Sequence, residues 1–154
     1  MPPTYLLDTG VLLLLVRGGE TARRLDASFS LRSNPFRPLI CSVSIGELWA
    51  LAETNDYGAE KRRAIQLVID DTVTIDINDP LVVAGYVEVY KTLRGFPKGS
   101  RTSIGDNDKW IAAAARATDA TLLTLDTDFD PLHPGVIERV LIPNPRTRPG
   151  RPSR

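Results

Sequence analysis

Four acidic residues lie where the predicted fold would bring them together. Asp8 follows the short apolar segment 4–7, and Asp126 ends the mainly apolar run 121–126. Each segment predicts a buried strand, and functional groups of α/β sheets gather beyond the carboxyl ends of the strands. Glu47 and Asp108 lie near the starts of two predicted helices, on faces that they share with apolar residues. An unpaired buried carboxylate is costly, so something must compensate these charges.

Taken singly, each acid also has an ordinary structural explanation. Glu47 and Asp108 could be first-turn acids that favour the helix dipole, and Asp126 and Asp128 could be turn residues. Each acid could also pair with a lysine or an arginine. Four acids at one sheet edge, in a chain with a single histidine and a single cysteine, instead favour a shared hard cation. Oxygen ligands of this kind select Mg²⁺ or Mn²⁺.

The elements that must position these acids alternate between strands and helices. Short apolar segments predict strands at 4–7, 39–42, 73–77, 121–125 and 137–142. Helical spacing predicts helices at 11–17, 20–31, 44–54, 59–69, 79–94 and 107–118. Such alternation predicts a parallel α/β sheet that is covered on both faces.

Two of these helices carry specific local predictions. Ser44 with Glu47 three residues later has the spacing of a capping box, which makes Ser44 the predicted N-cap. In helix 79–94 one apolar row repeats at i, i+3, i+4 and i+7, namely Val83, Tyr86, Val87 and Tyr90. This row predicts the apolar face of an amphipathic helix.

Composition limits the class of protein. The chain has 154 residues, 42% of them hydrophobic, which predicts one globular domain. A single cysteine, Cys41, excludes a disulfide framework, and the longest apolar run is far too short to span a bilayer. We therefore expect a cytoplasmic protein. Residues 1–142 form the predicted domain, and the Pro- and Arg-rich segment 143–154 is expected to be a mobile tail.

Four short blocks contain the acids and occur in order along the chain. They are Tyr-Leu-Leu-Asp-Thr-Gly-Val-Leu (5–12), Ser-Val-Ser-Ile-Gly-Glu-Leu (42–48), Asn-Asp-Lys-Trp-Ile-Ala-Ala-Ala-Ala (107–115) and Leu-Leu-Thr-Leu-Asp-Thr-Asp-Phe (122–129). Together they resemble the PIN-domain family, and the compact length resembles the VapC-type toxins of type II toxin–antitoxin systems. The resemblance implies a PIN-like three-layer α/β/α fold, with a short, mostly parallel central sheet of about five strands.

The resemblance also implies an activity and a set of site residues. It implies a metal-dependent endoribonuclease that hydrolyses RNA phosphodiester bonds with Mg²⁺ or Mn²⁺. The implied catalytic and metal-binding residues are Asp8, Glu47, Asp108 and Asp126, with Asp128 as a possible addition. Asp106 competes with Asp108, but the neighbours on its helix face are Lys109 and Trp110, so Asp108 is preferred.

Further predictions concern contacts with substrate and with partner proteins. Thr9 matches a small hydroxyl residue of the family, and Lys98 and Arg101 lie in a Gly/Ser loop before Asp108, where they could contact phosphate. The implied partners are RNA, a small antitoxin protein and a second copy of the chain, without a membrane. By family analogy, helices 20–31 and 44–54 form the groove for the antitoxin.

Other classes of protein share parts of this pattern. A PIN fold can serve as an inactive RNA-binding or scaffolding module, but none of the expected acids is missing; a free-standing RNA-processing nuclease stays open. Leu-Leu-Asp-Thr-Gly at 6–10 also occurs in aspartic proteases, but that class is all-β and this chain has long helical patterns. A receiver domain would need two adjacent acids after its first strand, where this chain has Asp8 alone.

Overall fold

The central sheet is five-stranded and its neighbouring strands are all parallel. In the computed structural model, which describes residues 2–97 and 104–145, the strand order is β3-β2-β1-β4-β5. Each of the four strand pairings is parallel. The strands are β1 (Tyr5–Leu7), β2 (Leu39–Cys41), β3 (Val73–Ile75), β4 (Thr121–Thr124) and β5 (Arg139–Leu141). The predicted fold class is confirmed.

Helices cover both faces of this sheet. They are α1 (Thr9–Arg17), α2 (Gly19–Phe29), α3 (Ser42–Thr54), α4 (Ala59–Asp70), α5 (Pro80–Arg94) and α6 (Asp106–Thr118), with a short 3-10 helix at Thr127–Leu132. No helix within the described ranges 2–97 and 104–145 is long and apolar enough to cross a membrane. The predicted domain boundary at residue 142 follows β5 by one residue, and residues 146–154 lie outside the described part.

The strand alternation divides the core into two layers. Leu6 and Leu122 point to one face and pack with α5 and α6, whereas Leu7 and Leu123 point to the other face and pack with α1, α3 and α4. All four side chains are fully buried. Successive strand residues face opposite sides, so a sheet covered on both faces must be apolar at consecutive positions. This explains why β1 and β4 are short continuous apolar runs.

Most element boundaries differ from those predicted by one or two residues, and three of these differences have a visible local cause. α1 begins at Thr9, two residues before the predicted start, because Asp8 is its N-cap. α3 begins at Ser42 rather than at Ser44, so the predicted capping box is wrong. β3 ends at Ile75 rather than at residue 77, because the backbone N–H of Ile77 donates to the Ser42 hydroxyl instead of continuing the ladder.

Helix α5 buries a different face from the one that the sequence favoured. Its buried residues are Val82, Gly85 and Val89, which pack towards α6. A Cβ on Gly85 would lie 2.8 Å from the Ala113 backbone oxygen, so glycine allows the two helices to approach closely. Three members of the predicted row are exposed to solvent by nearly half, namely Val83, Val87 and Tyr90. Only Tyr86 of that row packs inward, where its ring stacks on the Trp110 ring at 4.1 Å.

Candidate metal centre

The carboxyl ends of β1 and β4 bring two segments of the site to one edge of the sheet. The two strands are adjacent and in register, with Leu7 opposite Leu123. Asp8 follows β1 directly, and Asp126 lies two residues beyond β4. Helix α6 begins with Asp108 in its first turn, and α3 contributes Glu47. The acids predicted from the sequence therefore come from four separate elements.

Asp8 is held by two hydrogen bonds. Its Oδ1 accepts from the Thr9 backbone N–H at 2.8 Å, and its Oδ2 accepts from the Thr124 hydroxyl at 2.6 Å. The residue is 7% exposed. Burial raises the pKa of Asp8, the two hydrogen bonds oppose that rise, and the carboxylates of Asp126 and Glu47 add to it. Asp8 is thus a fixed, poorly solvated carboxylate whose charge is unfavourable without a compensating cation.

A hydroxyl pair orients Glu47. The Thr9 hydroxyl lies 2.8 Å from Glu47 Oε1 and 2.9 Å from the Ser44 hydroxyl oxygen. Ser44 is fully buried, and it cannot be the N-cap because it is the third residue of α3. Thr9, which was predicted to contact substrate, here supports an acidic side chain. Glu47 therefore faces Thr9 and α1 instead of turning back to the start of its own helix.

Thr124 links the two strand-end segments. Its hydroxyl donates to Asp8 and also accepts from the Asp126 backbone N–H at 3.0 Å, and the side chain is fully buried. Asp126 Oδ1 in turn accepts from the Asp128 backbone N–H at 2.8 Å, as the N-cap of the 3-10 helix. These contacts fix the Asp126 carboxylate and the backbone that carries Asp128.

Three carboxylates converge most closely. One oxygen from each of Asp108, Asp126 and Asp128 lies within 4.8 Å of the other two. Among the described residues, Asp8 and Glu47 are not part of this tightest group, but they are near enough to repel its charges. Burial first, and then the carboxylates of Asp8, Asp126, Glu47 and Asp128, raise the pKa of Asp108 to about 7.

Asp106, the alternative to Asp108, points away from this group. Its side chain is 87% exposed and forms an ion pair with Lys109 at 3.1 Å. Lys98 and Arg101 lie outside the described residues. The sequence did not single out Thr124 or Ser44 as site residues. The only local sign in the sequence was a hydroxyl residue near each acid, within an otherwise apolar segment. This sign is not specific, because a threonine in a strand usually reflects β propensity alone.

One protein family model covers most of the chain. The PIN domain family model matches residues 5–132. No curated protein sequence matches the chain.

Several solved structures share the fold at low sequence identity. VapBC2 from Rickettsia felis, bound to a DNA fragment from its promoter, is similar with a TM-score of 0.71 and 20% identity over 90% of this chain and 98% of that chain. VapBC-1 from nontypeable Haemophilus influenzae gives 0.70 and 22%, with coverage of 90% and 97%. VapBC-5 from Mycobacterium tuberculosis, a member of the VapBC family of toxin–antitoxin systems, gives 0.62 and 23%, with coverage of 92% and 100%.

Proposed function

The chain belongs to the PIN-domain family, and from that premise we propose that it is a metal-dependent endoribonuclease that hydrolyses RNA phosphodiester bonds. The observation that carries the proposal is the convergence of the Asp108, Asp126 and Asp128 carboxylates within 4.8 Å. Asp8 and Glu47 add two further negative charges close enough to raise the pKa of Asp108. Three converging acids with two more nearby, the latter two held by hydrogen bonds from buried hydroxyl groups, are expensive for a folded protein unless a cation binds there.

The donor set fits Mg²⁺ or Mn²⁺. Both are hard cations that take carboxylate oxygens and keep open positions for water and phosphate. Asp108, Asp126 and Asp128 would hold the ion, and Asp8 and Glu47 would complete the charge around it. When bound, such an ion lowers the pKa of water and neutralises charge on a phosphate group.

The remaining chemistry falls to the oriented side chains. Asp8 cannot rotate freely, because each of its oxygens accepts a hydrogen bond. Glu47 is fixed by Thr9. Two carboxylates in fixed positions can orient an attacking water and accept its proton. No histidine is needed, and the ring of the single histidine, His133, contacts the backbone of Ile137 and Arg139.

RNA cleavage by matched variants tests the proposal. Asp108→Asn removes a charge from the site, whereas Asp106→Asn removes one from an exposed ion pair of the same helix turn. With Mg²⁺ or Mn²⁺, we expect Asp108→Asn to cleave single-stranded RNA at least about 100-fold more slowly than the wild type, since even indirect support of a metal ligand is worth 10–100-fold. Asp106→Asn should cleave within a few-fold of wild type, and EDTA should stop both.

Two outcomes would contradict it. Cleavage by Asp108→Asn at the wild-type rate would mean that this acid does not serve the site. Binding of RNA by the wild type without cleavage under any divalent cation would favour the inactive RNA-binding module instead.

We further propose that the enzyme is the toxin of a toxin–antitoxin pair and that it acts as a homodimer with a small antitoxin. The support is the similarity to VapBC proteins along nearly their whole length. A cavity of about 620 Å³ between α2 and α4 offers a docking surface, lined by Leu15, Leu31 and Val68 and by three arginines. The residues that line it come from β1, α1, α2 and the segments 31–38 and 68–72, whereas α3 had been expected to contribute.

Co-expression tests the toxin proposal. The chain alone should arrest growth, and the product of a short neighbouring reading frame should relieve the arrest and purify with it. Growth that continues at full rate while the purified protein cleaves RNA would favour a free-standing RNA-processing nuclease.

A further inference from the structure

The described part of the chain is acidic, although its proposed substrate is a polyanion. Residues 2–97 and 104–145 contain all 19 acidic residues of the sequence but only 13 of the 19 basic ones. The carboxylates of the metal centre concentrate negative charge where the RNA has to bind. Binding of nucleic acid depends largely on basic side chains that neutralise phosphates. The proposed enzyme therefore needs positive charge close to its metal centre.

Two basic side chains on or beside the segments of the site are already paired with acids. Lys109 follows Asp108 on α6, and its Nζ lies 3.1 Å from Asp106 Oδ1. Arg139, the first residue of β5, forms an ion pair with Asp130 of the 3-10 helix. Since each of these charges is balanced by its partner, phosphate binding requires another source of positive charge.

The chain leaves the sheet next to the metal centre. β5 is an edge strand beside β4, and the Ile142 backbone N–H donates to the Thr124 carbonyl at 2.7 Å. The Thr124 hydroxyl in turn accepts from the Asp126 backbone N–H at 3.0 Å. Neighbouring strands lie about 4.8 Å apart, so the chain after Ile142 starts about one strand spacing from the turn that carries Asp126. The residues that follow β5 therefore start at the same edge of the sheet as the acids.

The sequence that follows this exit is strongly basic. We call residues 146–154 the basic segment; four of its nine residues are arginine and none is acidic. Nine residues can reach at most about 30 Å, which is the length of several nucleotides. The planar guanidinium of arginine presents its N–H donors in a geometry that matches phosphate oxygens. The basic segment thus combines positive charge with attachment beside the acids.

We propose that the basic segment binds the phosphate backbone of RNA beside the metal centre. This inference rests on the proposed nuclease function and adds a second part to its substrate site. Contacts with phosphate position a nucleic acid but carry no sequence information. The segment therefore raises the affinity for RNA without selecting the bond that is cleaved, and the bound strand extends from the metal centre across β5.

The acids of the metal centre are the other possible binding site for the basic segment. A bound Mg²⁺ or Mn²⁺ would neutralise much of their charge and so remove most of the attraction for arginine. RNA instead offers a row of negative charges, one on each phosphate. The presence of four arginines in nine residues suits such a row better than a single compact centre.

The first experiment measures RNA binding by fluorescence anisotropy with Mg²⁺ at several salt concentrations. All variants carry Asp108→Asn, which slows cleavage during the measurement. One variant lacks residues 146–154, and a second has glutamine in place of each arginine of the basic segment. Each phosphate contact of a single strand contributes about 0.7 to the slope of log K against log salt, so both variants should lower that slope by about 2–3. Both should weaken binding at least about tenfold at low salt.

Two matched variants serve as controls. Lysine in place of all four arginines keeps the charge and should keep most of the slope. A fourth variant loses four exposed basic side chains of the described helices, through Arg17→Gln, Arg24→Gln, Arg63→Gln and Lys91→Gln. It has the same net charge as the glutamine variant of the basic segment, and its slope should change by less than about 1.

The second experiment measures cleavage with Asp108 intact. Deletion of the basic segment should raise KM for a single-stranded RNA of about 20 nucleotides and leave kcat within about twofold, because it removes binding that substrate and transition state share. For a trinucleotide, which is too short to span the metal centre and the segment together, both constants should stay within about twofold of wild type. Circular dichroism of each variant shows whether it is folded.

Three results would overturn the inference. A deletion variant with the wild-type slope would show that the segment does not contact phosphate. An equal loss of slope in the control that changes the helices would show that only net charge matters. Faster cleavage of the trinucleotide after deletion, together with tighter Mn²⁺ binding by calorimetry, would place the segment in the acidic centre. Wild-type protein that binds RNA through the segment but does not cleave it would refute the nuclease assignment alone, because the binding assay does not depend on cleavage.

Discussion

Replacing Asp108 by asparagine should make the metal-free protein more stable. Asp108 is half-buried and faces the negative charges of Asp8, Glu47, Asp126 and Asp128. Asparagine keeps the size of the side chain and removes its charge, so burial and repulsion no longer oppose folding. The cluster of carboxylates would then be a functional site that lowers the stability of the folded protein.

The raised pKa of Asp108 gives the magnitude. The rise from the usual 3.8 to about 7 corresponds to roughly 4 kcal/mol at 1.36 kcal/mol for each pKa unit. Because water still reaches part of this carboxyl, screening reduces the effect to roughly 2 kcal/mol. For a domain of this size, roughly 2 kcal/mol raises the melting temperature by about 4–8 °C.

The effect should depend on pH in a defined direction. Because the folded-state pKa of Asp108 lies above the unfolded one, the folded wild type holds an extra proton between about pH 4 and pH 7. The free energy of unfolding of the wild type therefore falls as the pH rises through that window, and asparagine has no matching loss. The advantage of Asp108→Asn should be complete above about pH 7 and below roughly 1 kcal/mol at pH 5.

Thermal unfolding with EDTA at pH 5, 6.5 and 8 measures this difference. Excess Mg²⁺ tests the opposite effect, stabilisation by a bound cation. At 100 times its dissociation constant, the ion should add about 2.7 kcal/mol to the free energy of unfolding of the wild type and clearly less to that of the variant. Asp106→Asn is the control, since Asp106 is exposed and paired with Lys109. Its effect should stay within about 0.5 kcal/mol at every pH.

Two results would refute the reasoning. If Asp108→Asn were no more stable than the wild type at pH 8 in EDTA, the charge of Asp108 would not destabilise the metal-free fold. If its advantage were the same at pH 5 and pH 8, the cause would lie in packing and not in ionisation.

Three further predictions concern the support of the site and the fold. Thr124→Val should weaken Mn²⁺ binding by about 10–100-fold, measured by titration calorimetry, because Asp8 loses a hydrogen bond. Thr124→Ser should retain most of the affinity, and equal affinities of the two variants would contradict the role given to the hydroxyl. Gly85→Ala should lower the free energy of unfolding, measured by chemical denaturation, by about 1–3 kcal/mol, because its Cβ would lie 2.8 Å from a backbone atom. Gly46→Ala, with open space around it, should raise that free energy by roughly 0.5–1 kcal/mol in the same assay. Deletion of residues 146–154, which hold little apolar surface, should change the melting temperature by less than about 2 °C, and a larger fall would move the domain boundary.

The sequence predicted the order of elements because the strands are buried on both faces. Continuous apolar runs such as Leu6–Leu7 and Leu122–Leu123 are consistent with one arrangement, a sheet with helices on each side. The acids could be placed at one edge because parallel strands end together. The prediction for Asp108 over Asp106 rested on helix faces, and in the structure Asp108 lies in the cluster while Asp106 pairs with Lys109.

Two features were beyond the reach of sequence patterns. The buried face of α5 was missed because periodicity counts apolar side chains, whereas the contact with α6 depends on Gly85, which has none. The hydroxyl support was missed because Thr124 and Ser44 acquire their roles only through partners far away in sequence. Thr124 and Asp8 are 116 positions apart, and nothing local marks such a pair.

The position of β1 between β2 and β4 has a consequence for protein synthesis. Asp8 is synthesised well before Asp126, which follows 118 positions later. At about 5–20 residues per second, this delay is roughly 6–24 s. During that time one edge of β1 has no neighbour, because β4 has not yet been made. A nascent or prematurely terminated chain that ends before β4 therefore lacks the carboxylates of Asp126 and Asp128, and the acidic centre can form only once nearly the whole domain has been translated.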